Sequence, residues 1–352
     1  MRITDQMMYQ NIAQSIDQSQ AAYVRTAQEA SSGVSISQPS DNPVGTAQVL
    51  QLQAAQKQVT AWQSNAQAAQ SQMTSADQTL SQIQTDLSSA EALATQANSG
   101  SATTGQLQDM GQQAGSMLND VAALFNTQYS GQYVFSGVVQ QQPVTESSGS
   151  YSTSAEQTGG AVTPQALELG RGVTIPTTVN ASSVLGGTQY PAGTAYNSLP
   201  SWLQQRATAL QNQANQATPP GAGVLTPATG SPSSQTTTVS FSSSIIDVLT
   251  YLQQDLSSGN TAAVEADLGA LQGQGATLSS VQAALGANMD RVQAAISQLQ
   301  NTSSTLQTQQ GSVENVDMAQ IISQLTAEQT AYQAAVSAGA QMKLPTLANY
   351  LT

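Results

Sequence analysis

The chain has 352 residues, of which only 8% are charged and 4% aromatic, and with 7 Lys+Arg against 20 Asp+Glu its formal net charge is −13. It contains no Cys and no His, which removes thiol nucleophiles, disulfides, zinc ribbons and imidazole bases together. The few basic residues stand far apart, so there is no footprint for a phosphate backbone or an anionic lipid surface, and neither nucleic acid binding nor membrane insertion is expected.

The N-terminal stretch Met1 to Gln18 lacks the apolar core and small-residue cleavage site of a secretory signal, so any export is expected to proceed without a cleaved leader. Its apolar positions Met8, Ile12, Ile16, Tyr23 and Ala27 form a thin stripe, interrupted by Ser19 and Gln20. Such a helix should not hold in water without a partner. A start signal follows at Ser40-Asp41-Asn42-Pro43, which offers a side-chain cap ahead of a proline at the first helical position, where the missing N–H costs nothing.

From Trp62 the positions Ala66, Ala69, Met73, Ala76, Leu80, Ile83, Leu87, Ala90, Ala94 and Ala97 alternate steps of four and three, the spacing of a coiled-coil seam. A helix over residues 43 to 98 would be about 80 Å long at about 1.5 Å per residue. A second stripe runs Leu107, Met110, Ala114, Met117, Val121, Leu124, Gln128 and ends near Gly131. Two antiparallel helices need a third surface, and the segments Val264 to Leu278 and Leu285 to Leu299 carry matching stripes.

The middle differs. Gln132 to Gly137 and Gly172 to Val179 have strand chemistry bounded by turn residues, Leu199 to Ala217 could form a short helix, and Pro219 to Pro232 reads as a linker. The C-terminal arm repeats the thin pattern of the first, with Met318, Ile322, Leu325, Tyr332 and Val336. The two arms are expected to pair with each other or with neighbouring copies. The fold class is therefore mainly α, a long coiled-coil or helical-bundle rod built from both chain ends, with an inserted β-containing outer domain. Its divisions are residues 1–35 with 313–352 as terminal arms, 36–135 with 242–312 as the rod, and 136–241 as the insert.

Chemistry has little to work with. Asp41, Asp77, Asp86, Glu91, Asp109 and Asp120 lie on or beside helices with no spacing that implies a catalytic pair. Asp41-Asn42-Pro43-Val44-Gly45 breaks a calcium-loop pattern at its proline, and Gly159-Gly160 and Gly186-Gly187 lack phosphate-cradle spacing. No catalytic residue, metal ligand or cofactor is expected.

Several motifs in order do carry a resemblance: Met1-Arg2-Ile3-Thr4, Ser32-Gly33, Gln38-Pro39-Ser40-Asp41-Asn42-Pro43-Val44-Gly45, Asn126 with Gly131 to Gly137, Leu285 to Val292, Asp317-Met318-Ala319, Gln333-Ala334-Ala335 and Leu347-Ala348-Asn349-Tyr350-Leu351. The chain resembles the hook-filament junction proteins of the bacterial flagellum, the third hook-associated protein of the flagellin superfamily. Filament flagellin is the near rival, and the proline at 43 with the Tyr350-Leu351 ending favours the junction family. Val34, where a basic residue is common, and Lys343 to Thr346 depart from the pattern.

The resemblance implies a non-enzymatic adaptor that is threaded through the flagellar export apparatus and assembles as a ring of its own copies, between the hook-side hook-associated protein and flagellin. It implies an extracellular place at the hook-filament junction. Assembly arms then comprise Ile3, Met8, Ile12, Ile16, Tyr23, Met318, Ile322, Leu325, Tyr332, Val336, Leu347, Tyr350 and Leu351. A cytosolic export chaperone would bind residues 313–352 through Ile322, Leu325, Tyr332 and Val336. A reading from another class, a secreted coiled-coil adhesin or translocator working through residues 136–241, also fits the composition.

Overall fold

A computed structural model describes residues 2–136, 141–147, 150–153, 166–170, 172–179, 181–185, 188–216 and 235–341. The chain divides into two compact units, Met1–Ala61 with Leu299–Thr352, and Trp62–Gln298. Residues 36–61 and 299–312, read from sequence with the rod, cluster with the terminal helices.

In the first unit, helix α1 (Arg2–Ser32) is followed by the start of α2 (Pro43–Ala97), and the end of α7 (Thr261–Glu314) leads into α8 (Met318–Ala340). Asn42 caps α2: its side-chain oxygen accepts the Gly45 N–H at 2.9 Å, leaving Pro43 at the first helical position as the sequence predicts. A Cβ on Gly45 would stand 2.6 Å from Ile36 Cδ1 and 2.7 Å from Asn42 Nδ2, so those side-chain ends would have to shift to admit one. The two chain ends are joined by backbone pairing. Val34 bridges Asn315 in antiparallel fashion, Ser35 N–H donates to Glu314 O at 2.7 Å, and Val316 N–H to Gly33 O at 3.1 Å.

In the second unit the α2 seam is buried at every step from Ala66 to Ala97, none more than 4% exposed. Each Leu, Ile or Met of that seam contributes roughly 1.5–3 kcal/mol by leaving water. Its partner is α7, which runs antiparallel to it. Gln70 Nε2 donates to Gln293 Oε1 at 2.7 Å, Gln282 Nε2 to Asp77 Oδ1 at 3.2 Å, and Gly275 lies within van der Waals reach of Leu87.

Helix α3 (Thr104–Phe125) begins with a reciprocal capping box between Thr103 and Gln106. Its buried face is wider than the predicted stripe, taking in Gly111, Gly115, Leu118, Ala122 and Phe125 as well as Leu107, Met110, Ala114 and Val121. The cause is a helix that the sequence reading passed over, α6 (Ile245–Ser258). Its Ile245, Ile246, Val248, Leu249, Leu252 and Leu256 are buried, and it packs along α3. Gly111 allows this approach, since a Cβ there would sit 2.4 Å from Ser257 Oγ and 3.2 Å from the Gln253 carbonyl oxygen.

The strand-bearing middle consists of antiparallel pairs. β1 (Gln128–Tyr129) pairs β2 (Gln132–Tyr133), and β3 (Val144–Ser147) pairs β4 (Ser150–Thr153). β5 (Ala166–Gly170) pairs β6 (Val173–Pro176), with a register irregularity between Glu168 and Gly170. After the short helix α4 (Ala181–Leu185), β7 (Gln189–Tyr190) pairs β8 (Phe241–Ser242). The predicted strand at Gln132 to Gly137 is cut to its first two residues: Val134 and Phe135 turn into the core, where Phe135 meets Phe125 edge-on at 5.6 Å. Asn126 fastens β3 to the end of α3 by exchanging hydrogen bonds with the Val144 backbone at 2.8 and 3.0 Å. The predicted helix near 199–217 is α5 (Ser201–Gln216). The linker at Pro219 to Pro232 lies outside the described residues.

Candidate assembly surface on the terminal helix pair

α1 and α8 pack antiparallel along their length. Tyr23 stacks on Tyr332 with ring centroids 6.2 Å apart and planes at 7°, and a Cβ on Gly339 would lie 3.0 Å from Ile16 Cδ1 and 3.8 Å from Ile12 Cγ2. The α8 cap is explicit. The Asp317 carboxylate accepts the Ala319 and Gln320 N–H groups at 2.9 and 3.4 Å, which places a carboxylate at the positive end of the helix.

The α8 positions in phase with Tyr332 and Gly339 are Ile321, Leu325, Glu328 and Ala335, stepping by four and three, and all are buried or half-buried. The stripe read from sequence divides here. Leu325 and Tyr332 lie on this inner seam, whereas Met318, Ile322 and Val336 are 47%, 53% and 41% exposed. Ile321, which that reading omitted, is the one buried residue of α8 at 5%. Ile321 and Ile322 are adjacent apolar residues, four and three positions before Leu325, so spacing alone does not choose between them.

On α1, Ile12, Ile16 and Tyr23 are half-buried, while Met8 is 51% exposed, with Met7 and Val24 also outward. Ile3 falls within α1. Leu347, Tyr350 and Leu351 lie outside the described residues.

Within the capping segment, Asp41 does more than its neighbours. Its Oδ2 accepts N–H bonds from Ser37 at 3.2 Å and Gln38 at 2.9 Å and the Ser37 hydroxyl at 3.1 Å. Arg25 Nη2 stands 3.4 Å from its Oδ1, and Arg25 also pairs Glu29 at 3.0 Å. The Gln38 backbone bond holds the Asp41 carboxyl below the usual carboxylate range; burial opposes it, and the Ser37 hydroxyl and then the Arg25 charge add to the lowering. Asp41 thus ties the loop before α2 to the flank of α1. An open groove of about 510 Å³ beside that tie is lined by Asp17, Val24, Arg25, Gln28 and Gln38. Ser40 itself is exposed.

Asp86 is raised by burial, with the charge of Asp120 adding to it, and Asp77 accepts a glutamine amide. Among the described residues no group of three or more His, Cys, Asp or Glu could hold a metal ion. No described helix is long and apolar enough to cross a membrane. The arrangement offers apolar helix faces open to protein contact.

Two family models match this chain: the bacterial flagellin N-terminal helical region over residues 3–140, and the bacterial flagellin C-terminal helical region over residues 268–351. Solved structures share the fold. A provisionally assigned flagellar hook-associated protein from Vibrio parahaemolyticus matches with a TM-score of 0.57 at 16% identity, over 78% of this chain and 100% of its own. The flagellar hook-associated protein-3 from Legionella pneumophila matches at 0.53 and 16%, over 74% and 97%. The FlgL protein of Xanthomonas campestris matches at 0.53 and 15%, over 74% and 99%. No curated protein sequence matches. The two matched regions together span more than half of the chain and bracket its strand-bearing middle in the order the family requires, so the chain belongs to the bacterial flagellin family.

Proposed function

We propose that this protein is a structural adaptor of the bacterial flagellum that joins the hook-side hook-associated protein to the flagellin filament and carries out no enzymatic chemistry. The observation that carries the reading is the terminal helix pair, which buries one seam and leaves Met8, Val24, Met318, Ile322 and Val336 facing outward. The fold likeness to hook-associated proteins supports the junction among flagellar positions. In this reading the arms, 1–35 with 313–352, pack against copies of the same chain in a ring, 36–135 with 242–312 form a helical layer, and 136–241 face outward.

Before assembly, the outward α8 residues Ile322 and Val336, together with Leu325 and Tyr332 once α8 leaves α1, present an apolar helix face that suits a cytosolic export chaperone. Leu347, Tyr350 and Leu351 complete the C-terminal arm. The protein then works outside the cell at the hook-filament junction, and takes no part in nucleic acid binding or membrane insertion.

The test is the motility of a strain lacking the gene, with its culture supernatant assayed for flagellin. Non-motile cells that keep their hooks and shed flagellin monomer are expected. Filaments that still assemble and rotate would sink the adaptor reading. Filament flagellin is the rival within the family, since both family models describe flagellin ends; purified protein that polymerises alone into long fibres would favour it. Intact motility with loss of surface attachment would favour an adhesin.

A further inference from the structure

One charged cluster lies wholly inside the second unit. Arg206 on α5 is 4% exposed. Its Nη2 stands 2.9 Å from Asp255 Oδ2 on α6, its Nε stands 3.3 Å from Asp267 Oδ1 on α7, and its guanidinium carbon sits 3.9 Å from the ring centroid of Tyr251 on α6. Asp255 and Asp267 are 2% and 0% exposed. One side chain from the middle segment therefore meets carboxyls from two different helices, in a place water does not reach.

The charges do not balance if every group is ionised. One guanidinium against two carboxylates leaves a net negative charge out of water, which is strongly unfavourable. Beyond the ion pairs to Arg206, Asp255 Oδ2 and both Asp267 carboxyl oxygens are buried without a hydrogen bond, which an ionised pair cannot relieve because neither carboxylate has a proton to donate. One proton shared between them restores neutrality and supplies the missing donor. The titratable and charged groups facing the site are Arg206 from α5, Asp247, Tyr251 and Asp255 from α6, and Asp267 from α7. Tyr251 stays neutral, its hydroxyl pushed up to about 12 by burial, and it accepts the Ser242 N–H at 2.9 Å.

We propose that Arg206, Asp255 and Asp267 form a proton-holding latch that fixes α5 to α6 and α7 while the two carboxyls share a proton, and loosens α5 when that proton leaves. Burial, the largest effect, raises the Asp267 carboxyl well above its ordinary value; Arg206 opposes this and the Asp255 charge adds to it. Burial likewise raises Asp255 against the Arg206 charge. The pair titrates as a unit. A carboxyl raised in the folded state keeps a proton that the loosened state gives up, so its contribution to the latch is fully present below the loosened-state value and is lost as pH climbs through the raised folded one. In strong acid both carboxyls protonate and Arg206 loses its counter-charge, which bounds the working range from the other side.

Trp202, half-buried on α5 one helical turn before Arg206, reports on the latch once the other tryptophan is replaced by Trp62→Phe. In the full-length chain, raising the pH from the ordinary carboxylate range toward, but short of, the Tyr251 range should produce a reversible red shift of Trp202 emission with a single-proton midpoint. Asp267→Asn, which puts a neutral amide where the proton was, should abolish that shift and keep the emission blue throughout. Emission that does not move in the Trp62→Phe protein, or an unchanged midpoint in Asp267→Asn, would overturn the latch. Should Asp267→Asn fail to fold, carboxyl 13C labelling of aspartate in the unsubstituted chain decides instead: one carboxyl that keeps its proton above the ordinary aspartate range is expected, and a spectrum with every aspartate titrating in that range would overturn it.

Discussion

The α2 seam of the second unit and the α8 seam of the first follow the same four-three spacing and end in different degrees of burial. From Ala66 to Ala97 no α2 seam residue exceeds 4% exposure, whereas on α8 only Ile321 is buried, with Leu325, Tyr332 and Ala335 half-covered. Spacing tells which residues share a face; the number of neighbouring elements decides how dry that face becomes. In the second unit α3, α6 and α7 contribute to one core with α2. A lone antiparallel pair leaves outer faces on both members, and on α8 that face carries Met318, Ile322 and Val336.

The comparison breaks most readily at its dry end. Phe125, fully buried and edge-on to Phe135, should cost about 3–5 kcal/mol when changed to Ala, read as a lower urea midpoint for the main cooperative transition. Ile321→Ala, a similar truncation in the helix pair, should leave that transition within roughly 0.5 kcal/mol, because sites without shared partners act independently. Its expected effect is faster proteolysis of the terminal helices. Equal shifts of the main transition from both substitutions would mean that the two units unfold together, and the contrast would be lost.

A test of intermediate size addresses close approach. Gly111→Ala should destabilise the second unit by roughly 1–3 kcal/mol, although alanine gains about 1 kcal/mol of helix propensity, because the added Cβ meets Ser257 and the Gln253 carbonyl of α6. A stabilised variant would show that α6 can retreat from α3. Smaller again, a Tyr23→Ala, Tyr332→Ala double-mutant cycle should give a coupling of about 0.5–1.5 kcal/mol, measured by hydrogen exchange in α8. No coupling would reduce the stacked pair to mere proximity.

The smallest effect concerns the tie between α1 and the capping loop. Because the Asp41 carboxyl is held below its ordinary value, its contribution is present above the unfolded value and is lost as pH falls through the depressed folded one. Exchange protection of the Ser37 and Gln38 amides should therefore drop in acid, and Asp41→Asn should flatten that dependence. A pH dependence retained in the Asn variant would assign it to another group.

Much of this architecture is legible in the residues. The α2 seam, the Asn42-Pro43 start, the helix near Ser201 to Gln216 and two terminal helices with thin stripes all follow from local periodicity and capping, which need only neighbours in sequence. Sequence also limited the chemistry: without Cys or His, and with carboxylates scattered on helix faces, it pointed to protein contact over catalysis. Tertiary structure decided what adjacency in sequence cannot encode. It turned Ile321 inward and Ile322 outward, since a one-residue rotation of a short stripe costs little until the partner's Tyr23 and Ile16 are in place. It set α6 against α3, where Gly111 makes room only if the facing helix is known. It also buried Arg206 between Asp255 and Asp267, residues up to 61 positions away in the chain, whose shared proton exists because folding removes all three from water at once.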